Sequence, residues 1–239
     1  CNNYTAFLVT YQHQPIFFIL EKSSSSYIQT CPGLKSDCLK KVVQETLPHF
    51  AKGIPELGVA AIDPLNEETV KLVLPGDFKV ELRNGTMTGL RKCHIDSVSY
   101  KNHEADLKMH CNLTIKGQYK AYGRILIVSI NGDGNAKIKI KNAALFAKIR
   151  FQDKVRDGVV YYEVKDFDIT QDYGDRVTFS LTNLFQGSPE LTVLQFLNQN
   201  WKQVAEEFGK PLVDKLVDIV YNIVKKFFEV VPKDELFID

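Results

Sequence analysis

The C-terminal fifth of the chain carries one apolar stripe, and it limits every fold the rest can adopt. From Ser188 to about Pro232, apolar residues fall at Leu191, Leu194, Leu197, Trp201, Val204, Phe208, Leu212, Leu216, Ile219, Ile223, Phe227 and Val230. The steps are three or four throughout, the spacing of one face of an α-helix. Roughly forty residues at about 1.5 Å each would span about 60 Å, longer than a sphere built from 239 residues is wide. Lys202, Glu206, Glu207, Lys210, Asp214, Lys215, Asp218, Lys225 and Lys226 fill the opposite side. Such a stripe needs an equally long apolar partner. Pro211 falls inside it and removes one backbone hydrogen bond. Either one helix ends at Gly209-Lys210-Pro211 and a second begins, or a single helix kinks. Phe208 and Leu212 stay in phase, which favours a kink that follows a curved partner.

The upstream sequence supplies that partner as strands. Leu39, Val42, Val43, Leu47 and Phe50 first mark a short helix from Cys38 to Phe50, with Ser36 or Asp37 as its cap and Gly53 as its stop. Residues 53–65 read as extended, because residues before a proline avoid the helical region. The period then becomes two. Val70, Leu72 and Leu74 alternate with polar neighbours, as do Phe78, Val80 and Leu82, with Pro75-Gly76-Asp77 as the turn. Further strands are expected at about 86–100, 105–116, 118–130, 136–151, 158–170 and 175–184, with turns at Lys101–Glu104, Gly117, Asn131–Asn135, Asp157-Gly158 and Asp172–Asp175. Leu107, Met109, Cys111, Leu113 and Ile115 point one way, and Lys108, His110, Asn112, Thr114 and Lys116 the other. One wet and one buried face imply an antiparallel sheet. The class is therefore α+β, with a short helix, a β-meander and one long helix. After residue 28 there is no linker-like composition and no repeat, so residues 29–239 are expected to form one domain.

Charge and motifs exclude several functions. Thirty basic against 29 acidic residues leave no basic stripe for nucleic acid. No apolar run approaches the roughly 18 residues of a membrane-spanning helix. Tyr4–Leu20 is fairly apolar, but Gln12-His13-Gln14-Pro15 interrupts it and no basic segment precedes it, so it reads poorly as a signal peptide. Residues 1–28 are expected to be a poorly defined extension. Asn3, Asn84 and Asn112 head N-x-[ST] sequons, which matter if the chain is secreted.

Cys93-His94 and His110-Cys111 suggest a metal site at first sight. A hairpin centred near Asn102 would set 93 opposite 111 and 94 opposite 110. Side chains alternate across a sheet, so the cysteines share one face and the histidines the other. The four cannot ligate one zinc; a cross-strand disulfide and a pair of buried thiols both satisfy the geometry. A bridge between Cys31 and Cys38 would close a short loop around Pro32-Gly33 at the start of the helix, with two free thiols as the alternative. The Gly-rich stretch at 131–135 lacks the Gly-Lys-Ser/Thr ending of a phosphate loop. Lys233-Asp234-Glu235-Leu236 spells a retention signal, but three residues follow it here, and that signal is read at a free C-terminus. Nothing sets a base beside a nucleophile, so no enzyme, metal or cofactor is expected.

Together these segments resemble the insect takeout and haemolymph juvenile-hormone-binding protein family. Cys31 and Cys38 resemble its N-terminal disulfide. Lys52-Gly53-Ile54-Pro55-Glu56-Leu57-Gly58 with Asp63-Pro64-Leu65 resembles its first signature. Gly117-Gln118-Tyr119 with Gly123-Arg124-Ile125-Leu126 resembles its central strands, and Leu197–Trp201 with Val231–Phe237 its C-terminal block. The likeness covers about residues 29–238. It implies a strongly curved antiparallel sheet wrapped around one long C-terminal helix, with the short helix over one mouth. It also implies a monomeric carrier secreted into haemolymph or sensory fluid, holding a terpenoid hormone, fatty acid or odorant-like lipid in an apolar tunnel.

Binding in such a tunnel would come from desolvation, about 25 cal/mol per Å² of apolar surface. The expected wall is Leu47, Phe50, Ile54, Val70, Leu72, Phe78, Val80, Leu107, Met109, Leu113, Phe179, Leu181, Trp201, Phe208, Tyr221 and Phe227. Tyr119, Tyr161, Tyr221 or the Ser97/Ser99 pair would orient an oxygenated head. The competing expectation is a protein of the same fold with a filled core, read through its outer face by a receptor or another carrier protein.

Overall fold

A computed structural model describes residues 10–11, 14–15, 31–184 and 190–236. Thr10–Tyr11 (β1) and Gln14–Pro15 (β2) form a small antiparallel pair. The main sheet has seven antiparallel strands: Leu65–Leu74 (β3), Phe78–Thr88 (β4), His94–Lys101 (β5), Glu104–Ile125 (β6), Val128–Arg156 (β7), Val159–Asp172 (β8) and Arg176–Leu181 (β9). β6 is 22 residues long and pairs throughout with Val128–Arg150 of the 29-residue β7, whose last six residues pair only with β8. Shorter strands lie end to end along their outer edges: β4 and β5 on β6, β9 and β8 on β7, with β3 outside β4. Two long strands thus set the length of the sheet, and the C-terminal helix spans from the β8 edge to β3, closing the curve.

The turns show where sequence reading held and where it failed. Asn102-His103 and Asp157-Gly158 carry positive φ at both central positions, as tight two-residue hairpins need, at the two expected sites. Gly117 and the 131–135 stretch are not turns; they lie inside β6 and β7. The hairpin between those strands is Leu126-Ile127, with Leu126 at φ 52°. Neither residue is a turn former, so the glycines drew the expectation instead. Their actual role is close approach. A Cβ on Gly134 would lie 2.1 Å from the Thr182 carbonyl oxygen, and one on Gly132 2.7 Å from the Tyr119 hydroxyl. The expected strand 86–100 is also two strands, separated by a 3-10 turn at Leu90–Lys92. Buried Asp63 holds that turn, accepting from the Gly89 and Arg91 amides at 3.0 and 2.8 Å.

The first helix, Ser36–Phe50 (α1), is capped at Lys35 without a side-chain hydrogen bond, so neither Ser36 nor Asp37 is its cap. Asp37 instead sits in the first turn, where the helix dipole favours a negative charge. Cys31–Cys38 is a disulfide at the start of α1. Gln44 fixes α1 to β5: its amide donates to the Cys93 carbonyl at 3.0 Å and accepts from the Ile95 amide at 2.8 Å. Cys93 and Cys111 form the second disulfide and are both buried.

The long C-terminal stripe is segmented into Glu190–Gln199 (α2), Trp201–Phe208 (α3) and Lys210–Val230 (α4), followed by the short Lys233–Leu236 (α5). The break at Asn200, at φ −101° and ψ 25°, was not expected. Its side-chain amide donates to the Phe196 carbonyl at 2.9 Å, competing with the helix backbone. At Gly209 the backbone stays right-handed helical, at φ −77° and ψ −29°, and accepts from both the Leu212 and Val213 amides. Pro211 therefore interrupts one hydrogen bond without turning the stripe away. The Lys233–Leu236 letters are packed structure: Leu236 is buried, and Lys233 pairs with Asp153 at 2.8 Å.

Candidate ligand cavity

Inside the curve, under β3, β4, β6, β7 and β9, lies a cavity of about 320 Å³ walled on its other side by α3 and α4. It runs along β7 from Ile130 to Leu145, roughly 50 Å of strand at about 3.3 Å per residue. Its size is at the lower end of the roughly 300–1,000 Å³ of ligand pockets. Almost every wall residue is aliphatic or aromatic. Phe208, Gly209, Leu212 and Val213 all face it, so the wall continues across Pro211. No residue of α4 is fully buried, though its stripe packs toward the interior.

Nine of the expected wall residues line the cavity: Leu47, Leu72, Phe78, Val80, Met109, Leu113, Phe179, Leu181 and Phe208. Seven lie elsewhere. Phe50 and Phe227 meet edge to face at 5.3 Å. Tyr221 stacks at 5.6 Å on Phe167. Ile54 bridges to Val59 beyond α1, and Val70 is buried in β3 away from the cavity. Leu107 packs with the cluster under α1, and Trp201 is half-buried at the start of α3. Phe50, Tyr221 and Phe227 miss the wall because they fill the opposite end. There Phe151, Tyr162, Phe227 and Phe228 pack on one another, and the Tyr100 and Tyr162 hydroxyls share a 2.8 Å hydrogen bond. Burial first, and that bond second, push the Tyr100 phenol well above its usual range.

Ile138 and Ile140 line the cavity and were missed, although the alternation of Lys137, Ile138, Lys139, Ile140 and Lys141 marks them. Leu216 and Val220 of α4 were missed too. Of the groups expected to orient a ligand head, only Tyr119 faces the cavity, and its hydroxyl donates to the Thr182 carbonyl at 2.9 Å. Ser97 and Ser99 are exposed, and Tyr161 lies under the Arg156 guanidinium at 3.9 Å. The polar wall residues are instead Gln171, Asp172 and Tyr173, where β8 turns into β9. Gln171 and Asp172 end β8 and Tyr173 follows it, and polar residues at a strand end add nothing to an apolar period, so the alternation did not mark them.

Around the second disulfide, the His94 and His110 rings lie 4.9 Å apart, and His110 Nδ1 is 2.9 Å from Asp96. Among the described residues no three side chains are grouped to hold a metal. Asn84 and Asn112 are exposed, the Asn112 Oδ1 accepting from the Asn142 amide; Asn3 lies outside the described residues. The expected extension at 1–28 also falls largely outside them. No described helix is long and apolar enough to cross a membrane.

A long antiparallel sheet curls around a helix, with an apolar space between them, an architecture suited to binding hydrophobic molecules. The chain belongs to the haemolymph juvenile hormone binding protein family, whose model matches residues 6–238. It is 26% identical over 230 residues to the circadian clock-controlled protein daywake of Drosophila yakuba and, equally, of Drosophila melanogaster, covering 89% of this chain and 87% of each relative. The crystal structure of Epiphyas postvittana Takeout 1 superposes with a TM-score of 0.83 at 36% identity, over 88% of this chain and 99% of that one. The family is one of binding proteins rather than enzymes.

Proposed function

We propose that the chain is a secreted carrier that holds an elongated, mostly hydrocarbon molecule in its internal cavity, which serves as the ligand tunnel. The observation that carries this reading is an apolar space of about 320 Å³ beneath a sheet that a solid core would fill. Desolvation drives uptake, and α1, pinned by its disulfide and by Gln44, covers the side where Leu47 reaches the wall. The two disulfides fit an oxidising compartment. Exposure of Asn84 and Asn112 is compatible with glycosylation there. Residues 29–239 act as one domain in this reading, and the protein works as a monomer.

A protein read only through its outer face would have no use for the cavity, so the carrier reading is preferred. Organic extraction of the purified protein, followed by mass spectrometry, tests it. A co-purifying lipid is expected. An empty extract, together with no uptake of a fluorescent lipid probe, would overturn it.

A further inference from the structure

The polar groups of the cavity wall are unevenly placed and of one electrical character. Among the described residues that line it there is no Lys, Arg or His, and Asp172 is the one charged group. Tyr119 sits deep under β7, with its hydroxyl on Thr182. The others, Gln171 and Tyr173, come together where the sheet edge meets the α3–α4 junction. Tyr173 is hydrogen-bonded to Gln171. Its hydroxyl reaches the helix backbone because residue 209 is glycine: a Cβ there would lie 2.4 Å from the phenol oxygen.

Asp172 is turned into its own hairpin, accepting from the Gly174 amide at 2.7 Å. Asp214 and Glu206 act on the phenol from the helices, with Lys210 opposing them. Lys210 is itself paired with Asp214 at 2.7 Å. Burial raises the Tyr173 phenol, opposed in part by its hydrogen bond to Gln171 and aided by Asp214 and Glu206, and the phenol stays a neutral donor and acceptor.

We propose that Tyr173 and Gln171 form the head-group subsite of the cavity, and that it takes a long-chain lipid with a neutral oxygen head, an alcohol, ester or ketone, in preference to an ionised carboxylate. This rests on the carrier reading. A phenol and a primary amide between them offer both donors and acceptors to a hydroxyl or carbonyl oxygen. A carboxylate drawn into the same space would lose its hydration with no cation in the described wall to meet it, and the nearby Lys210 is already paired with Asp214. A fatty acid therefore enters as the protonated acid, and its affinity follows its protonated fraction.

The test uses the delipidated full chain and N-phenyl-1-naphthylamine, a neutral probe without oxygen. Hexadecanol, methyl palmitate and palmitate each displace it at about pH 8, well above carboxylate pKa values. The alcohol and ester are expected to compete at about tenfold lower concentration than palmitate, and the gap is expected to narrow as pH falls toward about 5. Tyr173→Phe is expected to lower the affinity for hexadecanol, relative to that for the probe, by about threefold to tenfold. Gln171→Leu gives an independent second variant, and the wild-type comparison needs no variant at all. Palmitate binding as tightly as the alcohol at pH 8, or an unchanged hexadecanol ratio in both variants, would overturn the head-group assignment and leave the carrier reading standing. If the probe and all three lipids fail to bind, the carrier reading falls and takes this inference with it.

Discussion

Asn198 offers the sharpest test of how the helix is held to the sheet. Its side chain behaves as an extra strand residue at the outer edge of β9. Oδ1 accepts from the Phe179 amide at 2.8 Å, while Nδ2 donates to the Phe179 carbonyl at 2.9 Å and to the Leu194 carbonyl at 2.9 Å. Phe179 is a cavity wall residue, so this amide closes the wall where β9 would otherwise present an open edge. Asn198→Ala removes three hydrogen bonds, each worth about 0.5–1.5 kcal/mol net, with partial replacement by water at a half-buried site. The expected cost is about 2–3 kcal/mol, which for a chain of this size is a fall of roughly 4–12 °C in melting temperature. Asn198→Asp is the discriminating variant. It keeps the shape and the acceptor, but sets a carboxylate against two carbonyl oxygens. It should cost at least as much as alanine, about 3 kcal/mol. Urea unfolding followed by circular dichroism measures both. If the aspartate variant is within about 0.5 kcal/mol of wild type, the amide is not acting as a strand surrogate and the reasoning fails.

Four further outcomes follow from the same geometry. Ala143→Phe, which puts a ring into the cavity from β7, should abolish lipid co-purification while the circular dichroism spectrum is kept; unchanged lipid content would mean the ligand lies elsewhere. Replacing the Cys93–Cys111 pair, 18 residues apart, should cost about 3 kcal/mol by loop-closure entropy, against about 2 kcal/mol for Cys31–Cys38 at a separation of seven; chemical denaturation of the two double variants ranks them. Asp63→Ala strands the Gly89 and Arg91 amides and should destabilise by about 2–4 kcal/mol, measured in the same way. The Tyr100 phenol is raised above its ordinary value of 10.0, so the folded state holds that proton more tightly than the unfolded chain. Its contribution is complete below that pH and is lost as pH rises above it. Tyr100→Phe should therefore flatten the alkaline fall in stability, and an unflattened profile would count against the assignment.

What the sequence made legible was whatever repeats along it. The period of two placed most strands, and the 93/111 pairing came from counting residues on either side of Asn102: His94 does face His110, with the disulfide one step further out. The 3.6-residue stripe placed the helix and, through Phe208 and Leu212, its phase across Pro211. Features carried by a single side chain were invisible. Asn198 and Gln44 each attach a helix to a strand edge with one amide, and both look like ordinary polar helix positions until the strand beside them is known. Gly132 and Gly134 read as a turn because glycine has two uses, positive φ and close approach, and sequence does not say which.

Phe50, Tyr221 and Phe227 lie off the cavity for a different reason. Periodicity reports that a side chain points inward, but whether it lines a space or fills one depends on what faces it. Phe208 meets Phe78 at a ring separation of 6.5 Å, and both face the cavity. Phe227 is flanked by Phe50 and Phe228 at 5.3 and 5.2 Å and leaves no room. The same stripe therefore builds a container at one end and a plug at the other. Where one gives way to the other is fixed by how many aromatics the sheet and α1 bring to each level, which no single segment records. Pro211 lies on the cavity side, between two helical turns that both face the cavity, so the proline interrupts a helical hydrogen bond without dividing the wall.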